Sequence, residues 1–147
     1  MTAPARPEDS VARKEQRMFK FSGTRPSNLG VKDGKLAACP SSPNCVNSQA
    51  DDRQHGIGPL AFSGDAVTAM QKLAGVVAAI PRTRVIQSRA DYLYVEFSTP
   101  LMGFVDDVEF YCDGKAIQVR SASRLGYSDL GVNRKRIEAI RAAFRNP

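Results

Sequence analysis

Apolar and polar residues alternate along four short segments in the second half of the chain. They are Thr83–Ser88, Tyr92–Ser98, Val105–Cys112 and Ala116–Ser121. Alternation with a period of two is typical of strands that bury one face. The residues predicted to face a core on the two middle segments are Leu93, Val95, Phe97, Val108, Phe110 and Cys112. We expect the opposite face of the sheet to stay open to its polar residues.

Apolar residues at helical spacing flank these four segments on both sides. Before them, the pattern predicts a helix that Ser63 caps and that ends after Ile80, because Pro81 cannot continue it. After them, it predicts a helix over Val132–Phe144. The sequence therefore predicts an α+β domain: an antiparallel four-stranded meander with one helix before it and one after it.

The first third of the chain has a different character. Residues 1–18 mix both charge signs with Pro and Ser and predict a disordered tail without a signal peptide. Residues 19–58 are rich in Gly, Pro, Ser and Asn and predict a long irregular loop region. We expect residues 19–147 to form a single domain. No apolar stretch approaches the roughly 20 residues that span a bilayer, so we expect no transmembrane segment and a cytoplasmic location for the chain as written.

The third and fourth strands are predicted to form a hairpin around Asp113-Gly114, a pair that favours a two-residue type I′ turn. This turn would place Cys112 opposite Lys115, and Asp107 opposite Arg120 on the polar face. We interpret the second pair as an exposed ion pair with a structural role, because such pairs contribute only about 0.2 to 1 kcal/mol.

Asp106 is the most unusual acidic residue of the chain. It shares the phase of Val108 and Phe110, so its carboxylate should point into the core, where it needs a cation. Arg124 or Arg134 is the expected partner, in a structural clamp. The alternative is an enzyme in which the Asp106 carboxylate acts as a general base beside an arginine.

Positive charge is concentrated near the C-terminus. The formal net charge is +6, and residues 120–145 contain seven Arg and Lys against two acids. The run Asn133-Arg134-Lys135-Arg136 stands where helix electrostatics disfavours cations, which indicates an anion-binding site. Alternatively, the helix begins earlier, at Ser128 or Asp129, or the basic face aids solubility. The predicted anion-binding or clamp residues are Asp106, Arg120, Arg124, Asn133, Arg134 and Arg136.

The three cysteines are too few for a disulfide-dense scaffold, and without a signal peptide we expect free thiols. Cys39 and Cys45 lie six residues apart, a spacing that allows a disulfide in an oxidising compartment or two soft ligands of a metal site. Only Cys112 and His55 remain as further donors, so we predict no metal and no cofactor. His55 is interpreted as a hydrogen-bonded loop residue.

Motifs for the common enzyme classes are absent from the sequence, including GxSxG, HExxH, CxxC and a Gly-rich phosphate loop. The lack of Trp argues against a specific nucleic-acid partner. We therefore predict a non-enzymatic binding or assembly module that recognises an anionic ligand or a protein partner.

Three blocks of the sequence carry a family resemblance: CPSSPNCVNSQA, FVDDVEF and RSASRLGYSDLGVNRKRIEAIR. In this order they resemble the blocks of domain of unknown function 1499, a family of bacteria and plant plastids, over Ser22 to Phe144. The resemblance implies an antiparallel α+β domain of uncharacterised activity. Because members often carry export signals or membrane anchors, it also implies a periplasmic or membrane-associated location as an alternative.

Overall fold

The computed structural model describes residues 23–100 and 103–146, which form a five-stranded antiparallel sheet and two helices. The elements are β1 (Cys45–Asn47), α1 (Ala66–Ala78), β2 (Thr83–Ser88), β3 (Tyr92–Ser98), β4 (Val105–Cys112), β5 (Ile117–Ser123) and α2 (Val132–Arg145). The strand order is β1-β5-β4-β3-β2. The predicted α+β class is confirmed. The predicted disordered tail, residues 1–18, lies outside the described residues.

The predicted number of four strands is wrong, because β1 adds a fifth at the edge of the sheet. It pairs with β5 through Cys45 opposite Ala122 and Asn47 opposite Arg120. Three residues are too short to show an alternating pattern, and they stand inside a segment rich in turn-forming residues. The predicted meander of the other four strands is present.

Both helices pack on one face of the sheet and enclose the main core. Leu73 and Val77 of α1 and Ile137 and Ile140 of α2 are almost fully buried against the apolar residues predicted for β3 and β4. The N-cap of α1 is Asp65 and not Ser63, since the Asp65 carboxylate accepts the backbone N–H of Thr68 at 2.9 Å. A carboxylate at this position also complements the positive end of the helix dipole.

The other face of the sheet is not open, contrary to the sequence-based expectation. Residues 23–44, which we call the covering segment, lie across it. Leu36 of this segment is buried against Tyr92 and Tyr94, and Leu29 and Val31 pack beside them. The predicted alternation of apolar and polar residues is confirmed, but the layer that buries the polar face comes from a segment with no periodicity of its own.

The β4–β5 turn is shifted by one residue from the prediction. Cys112 lies opposite Ile117, so Gly114 and Lys115 are the central turn residues, and Gly114 has a φ of 93°. The Asp113 carboxylate flanks the turn and accepts the backbone N–H groups of Lys115 and Ala116. This side-chain turn fixes Asp113 outside the central pair.

The shift changes each cross-strand partner by two residues and leaves the faces unchanged. Arg120 consequently lies opposite Glu109, and Asp107 lies opposite Ala122. The predicted exposed pair between Asp107 and Arg120 is therefore wrong in both register and exposure, because both residues are buried.

Candidate functional site

Asp106 points into the helix side of the sheet, as its phase predicts, and its partner is Arg136. The Arg136 Nη2 lies 2.6 Å from Asp106 Oδ2, and the guanidinium lies 4.8 Å from the centre of the Phe97 ring. The expected partners Arg124 and Arg134 are wrong for this pair, since Arg124 lies on the opposite face and Arg134 points outward. Burial raises the pKa of Asp106, and Arg136 offsets this effect only in part.

Asn133 joins this pair to the surrounding strands. It is fully buried, and its side-chain oxygen accepts hydrogen bonds from Ser121 Oγ at 2.6 Å and from Arg136 Nη1 at 2.9 Å. Its amide nitrogen lies 2.8 Å from Asp129 Oδ2 and 3.0 Å from Ser123 Oγ. Together with the Asp106–Arg136 ion pair, these hydrogen bonds form a structural clamp between α2, β4 and β5.

The first turn of α2 carries its cations close to the helix start. The helix begins at Val132 after Gly131, so the alternative start at Ser128 or Asp129 is wrong. The Asp129 carboxylate accepts the backbone N–H groups of Gly131 and Asn133, and it supplies a negative charge at this end. Arg134 donates to the Gln54 carbonyl at 3.2 Å.

A second buried network lies under the covering segment and is centred on Arg124. Its guanidinium contacts Asp107 at 2.7 Å and Glu96 at 2.5 Å, and the Tyr94 hydroxyl donates to Asp107 at 2.5 Å. Arg25 of the covering segment closes the network on Glu96 at 3.1 Å. Although burial acts in the opposite direction, hydrogen bonds from Arg25 and Arg124 lower the pKa of Glu96. The network therefore fastens the covering segment to the sheet by charge.

Glu109 and Arg120 form a third polar group on the same face. Glu109 Oε2 accepts hydrogen bonds from the Tyr92 hydroxyl at 2.5 Å and from the Gly30 N–H at 2.7 Å. Arg120 donates to the Ala38 carbonyl at 3.3 Å. Within the part of the chain that the structure describes, Glu109 Oε1 and Arg120 Nε are buried without a hydrogen-bond partner. Burial raises the pKa of Glu109, and the bonds from Tyr92 and Gly30 offset this only in part.

The raised pKa of Glu109 predicts the sign of a pH effect in the variant Glu109→Gln. Because the folded-state pKa exceeds the unfolded one, ionisation of Glu109 destabilises the native protein as the pH rises above about 4. Glutamine does not ionise, so the free energy of unfolding of the variant should rise relative to wild type over this range. Urea unfolding at a series of pH values measures the difference, and a fall with increasing pH would contradict the assignment.

Cys39 and Cys45 are joined by a disulfide, so the expectation of free thiols is wrong for this pair, and neither sulfur is available as a metal ligand in this state. Cys112 is free and buried. His55 is a hydrogen-bonded loop residue, as interpreted from the sequence. Its Nε2 lies 2.9 Å from the Ser42 carbonyl oxygen and its Nδ1 lies 2.7 Å from Asp52 Oδ2. Both partners are hydrogen-bond acceptors facing the ring nitrogens.

Five large apolar side chains are exposed at the end of the sheet where β3 and β5 end and β4 begins. This set, which we call the apolar loop surface, consists of Phe104, Leu125, Tyr127, Leu130 and Val132. Tyr127 is 70% exposed and Leu130 is 86% exposed. Asp106 lies opposite Ser123, and the Arg124 N–H bonds the Val105 carbonyl, so Phe104 and Leu125 are the next opposed positions.

Cations stand beside the apolar loop surface. Lys135, which is exposed, and Arg134, which is half-buried, lie in the first turn of α2, separated from Val132 by Asn133. Arg82 is exposed, and its carbonyl bonds the N–H of Ser98 at the end of β3. Sequence reasoning missed the apolar part of this surface. The available signal was the spacing of Leu125, Tyr127, Leu130 and Val132 among Gly, Ser and Asp, since loops of this composition seldom carry so many apolar residues.

The predicted site residues therefore separate into three places. Asp106, Asn133 and Arg136 form the clamp under α2, Arg120 and Arg124 lie under the covering segment, and Arg134 is at the outer surface. Among the residues that the structure describes, no group of three or more His, Cys, Asp or Glu side chains is placed to hold a metal ion. No helix in the described ranges is long and apolar enough to cross a bilayer.

Comparison with known proteins supports the resemblance seen in the sequence. The search of curated proteins gave no match. A family model described as "Protein of unknown function (DUF1499)" matches residues 35–144, which include all five strands and both helices except the last residue of α2. The match covers about three quarters of the chain, and the chain therefore belongs to the DUF1499 family.

Proposed function

We propose that this domain is a non-enzymatic binding module that docks on an anionic lipid surface through the apolar loop surface. The exposure of Leu130 and Tyr127 on one short loop is the observation that carries the proposal. Exposed apolar side chains in isolation are ordinary, whereas a group of five at one end of a domain marks an interaction site.

The shape and charge of this end favour a bilayer as the partner. The apolar residues lie on loops and at a helix start, where side chains project from the domain and can insert into the headgroup region of a bilayer. Full burial of a Leu-sized side chain contributes about 1.5 to 3 kcal/mol. Each Lys or Arg close to an anionic leaflet contributes about 1 kcal/mol. Arg82, Arg134 and Lys135 would supply that attraction, and together these terms support reversible association.

The proposal retains anion recognition from the sequence-based hypothesis, but it changes the set of cations that would carry it. Arg120, Arg124 and Arg136 all make bonds inside the protein. Their internal roles leave Arg134, with Lys135 beside it, as the cations of the C-terminal region best placed for a ligand.

The two alternative functions have less support. An enzyme that uses Asp106 as a base needs access to the carboxylate, but Asp106 is only 5% exposed and is paired with Arg136. A metal role for Cys39 and Cys45 needs thiolates, and the two sulfurs are bonded to each other.

Vesicle co-sedimentation tests the proposal with the whole chain. Wild type should bind vesicles containing phosphatidylserine more tightly than pure phosphatidylcholine vesicles, and salt should weaken this binding. Tyr127→Ser and Leu130→Ser should each reduce binding about tenfold through lost apolar contact. Arg134→Ala/Lys135→Ala should reduce binding and also lower its dependence on salt.

Matched controls distinguish binding through the apolar loop surface from a general effect of exposed apolar or charged residues. Val85→Ser removes an exposed apolar residue on β2, outside the apolar loop surface, and Lys32→Ala/Lys35→Ala removes two exposed cations of the covering segment. Both should bind like wild type. Equal binding to the two vesicle types, or no vesicle binding at all, would overturn the proposal. Capture of a protein through the same residues without vesicle binding would replace it with a protein-docking function.

A further inference from the structure

The loop closed by the disulfide touches the loop that carries the apolar surface. Asn44, directly before Cys45, is buried, and its side-chain amide donates to the Gly126 carbonyl at 2.8 Å. The Asn44 carbonyl accepts the Ser123 N–H at 2.9 Å and the Asn133 amide at 3.3 Å. Asn44 thus holds the 124–131 loop at the position between Leu125 and Tyr127.

The orientation of Asn44 depends in turn on the closed loop. The Ser42 hydroxyl donates to the Asn44 side-chain oxygen at 2.8 Å and so orients its amide nitrogen toward Gly126. The Ser42 carbonyl is held by His55 from outside the loop. Residues 39–45 are kept in this compact arrangement by the bond between Cys39 and Cys45, which limits the conformations open to the five residues between them.

The two sulfurs differ in solvent exposure, so a reductant reaches one of them before the other. Cys45 is fully buried, whereas Cys39 is partly exposed and lines a pocket of about 360 Å³ that His55 and Lys35 also line. A dithiol reductant would attack the Cys39 sulfur as its thiolate. The S–S bond breaks, and Cys45 leaves as a thiolate that takes up a proton. The second thiol of the reductant then releases Cys39, so two electrons pass to the protein and the reductant ends as a disulfide.

We infer that the Cys39–Cys45 disulfide braces the 124–131 loop through Asn44, and that reduction by a dithiol loosens this loop. This inference rests on the proposed function where it concerns binding: the oxidised protein presents Tyr127 and Leu130 in a fixed arrangement, and the reduced protein binds anionic vesicles more weakly. Vesicle binding by this domain then depends on the redox poise of its surroundings.

Hydrogen exchange and vesicle binding test the inference together. Wild type is compared before and after dithiothreitol, and Cys39→Ser/Cys45→Ser serves as the permanently open form. Exchange of the amides in residues 126–131 should become faster on reduction, while amides of β3 and β4 keep their rates. Binding to phosphatidylserine vesicles should weaken about fivefold, the factor for the loss of one hydrogen bond.

The variant Asn44→Ala isolates the contact from the disulfide itself. It keeps both cysteines and removes the bond to Gly126, so its loop should exchange fast in the oxidised state, and reduction should change its vesicle binding less than about twofold. Unchanged exchange of residues 126–131 in reduced wild type would overturn the inference. Faster exchange without vesicle binding in either state would support the brace and overturn the docking function, so the two failures are distinguishable.

Discussion

Replacement of Arg124 by alanine should destabilise the protein by about 3 to 5 kcal/mol, the range for removal of one partner from a buried ion pair. The Arg124 side chain is 7% exposed and lies between Asp107, which is 1% exposed, and Glu96, which is 10% exposed. Without it, two buried carboxylates face each other across β3 and β4, and Arg25 still pairs with Glu96 from the covering segment. Urea unfolding monitored by circular dichroism measures the loss.

A matched control for Arg124→Ala is Arg134→Ala. Both remove a guanidinium from the same part of the chain, but Arg134 makes an exposed bond to the Gln54 carbonyl. Its removal should change the free energy of unfolding by less than about 0.5 kcal/mol. Similar effects of the two variants would show that the buried network does not stabilise the attachment of the covering segment.

Replacement of Arg136 by methionine should also be strongly destabilising, by about 3 kcal/mol, because it leaves the Asp106 carboxylate unpaired in a buried position. Methionine keeps an apolar stem of similar length but loses both the ion pair with Asp106 and the contact of the guanidinium with the Phe97 ring, so the loss reports mainly on charge. Burial already raises the pKa of Asp106, and removal of the cation should raise it further. The variant should therefore lose less stability at low pH, where the carboxyl is protonated, than at neutral pH.

A double-mutant cycle tests whether Asp106 and Arg136 stabilise the protein as a pair. Asp106→Asn should be destabilising alone, but its effect should be smaller in the Arg136→Met background, with a coupling of about 1 to 3 kcal/mol. Additive effects of the two substitutions would contradict a direct energetic pairing between these residues.

Much of the fold could be predicted from local pattern. The strands β2, β3 and β4 have the predicted bounds, and α2 begins at the predicted Val132. Alternation also placed Asp106 on the core side of β4. These features depend on the period of side chains along one segment, which the sequence states directly.

The parts that could not be predicted depend on contacts between distant segments. The covering segment has no periodicity, so nothing local showed that it buries the polar face. The expected partner Arg134 and the actual partner Arg136 stand two residues apart on α2, but Arg136 contacts Asp106 whereas Arg134 points to the Gln54 carbonyl, and the packing of the helix decides between them. The turn register was missed because Asp113 uses its side chain to flank the bend.

The consecutive acids Asp106 and Asp107 together affect how the native state unfolds. They occupy one central strand, and because neighbouring side chains point in opposite directions, Asp106 anchors α2 while Asp107 anchors Arg124 and, through Glu96, the covering segment. Loss of β4 from its neighbours would break the charged anchors of α2 and of the covering segment at the same moment. Within the described residues, we therefore expect α2 and the covering segment to unfold together with the sheet.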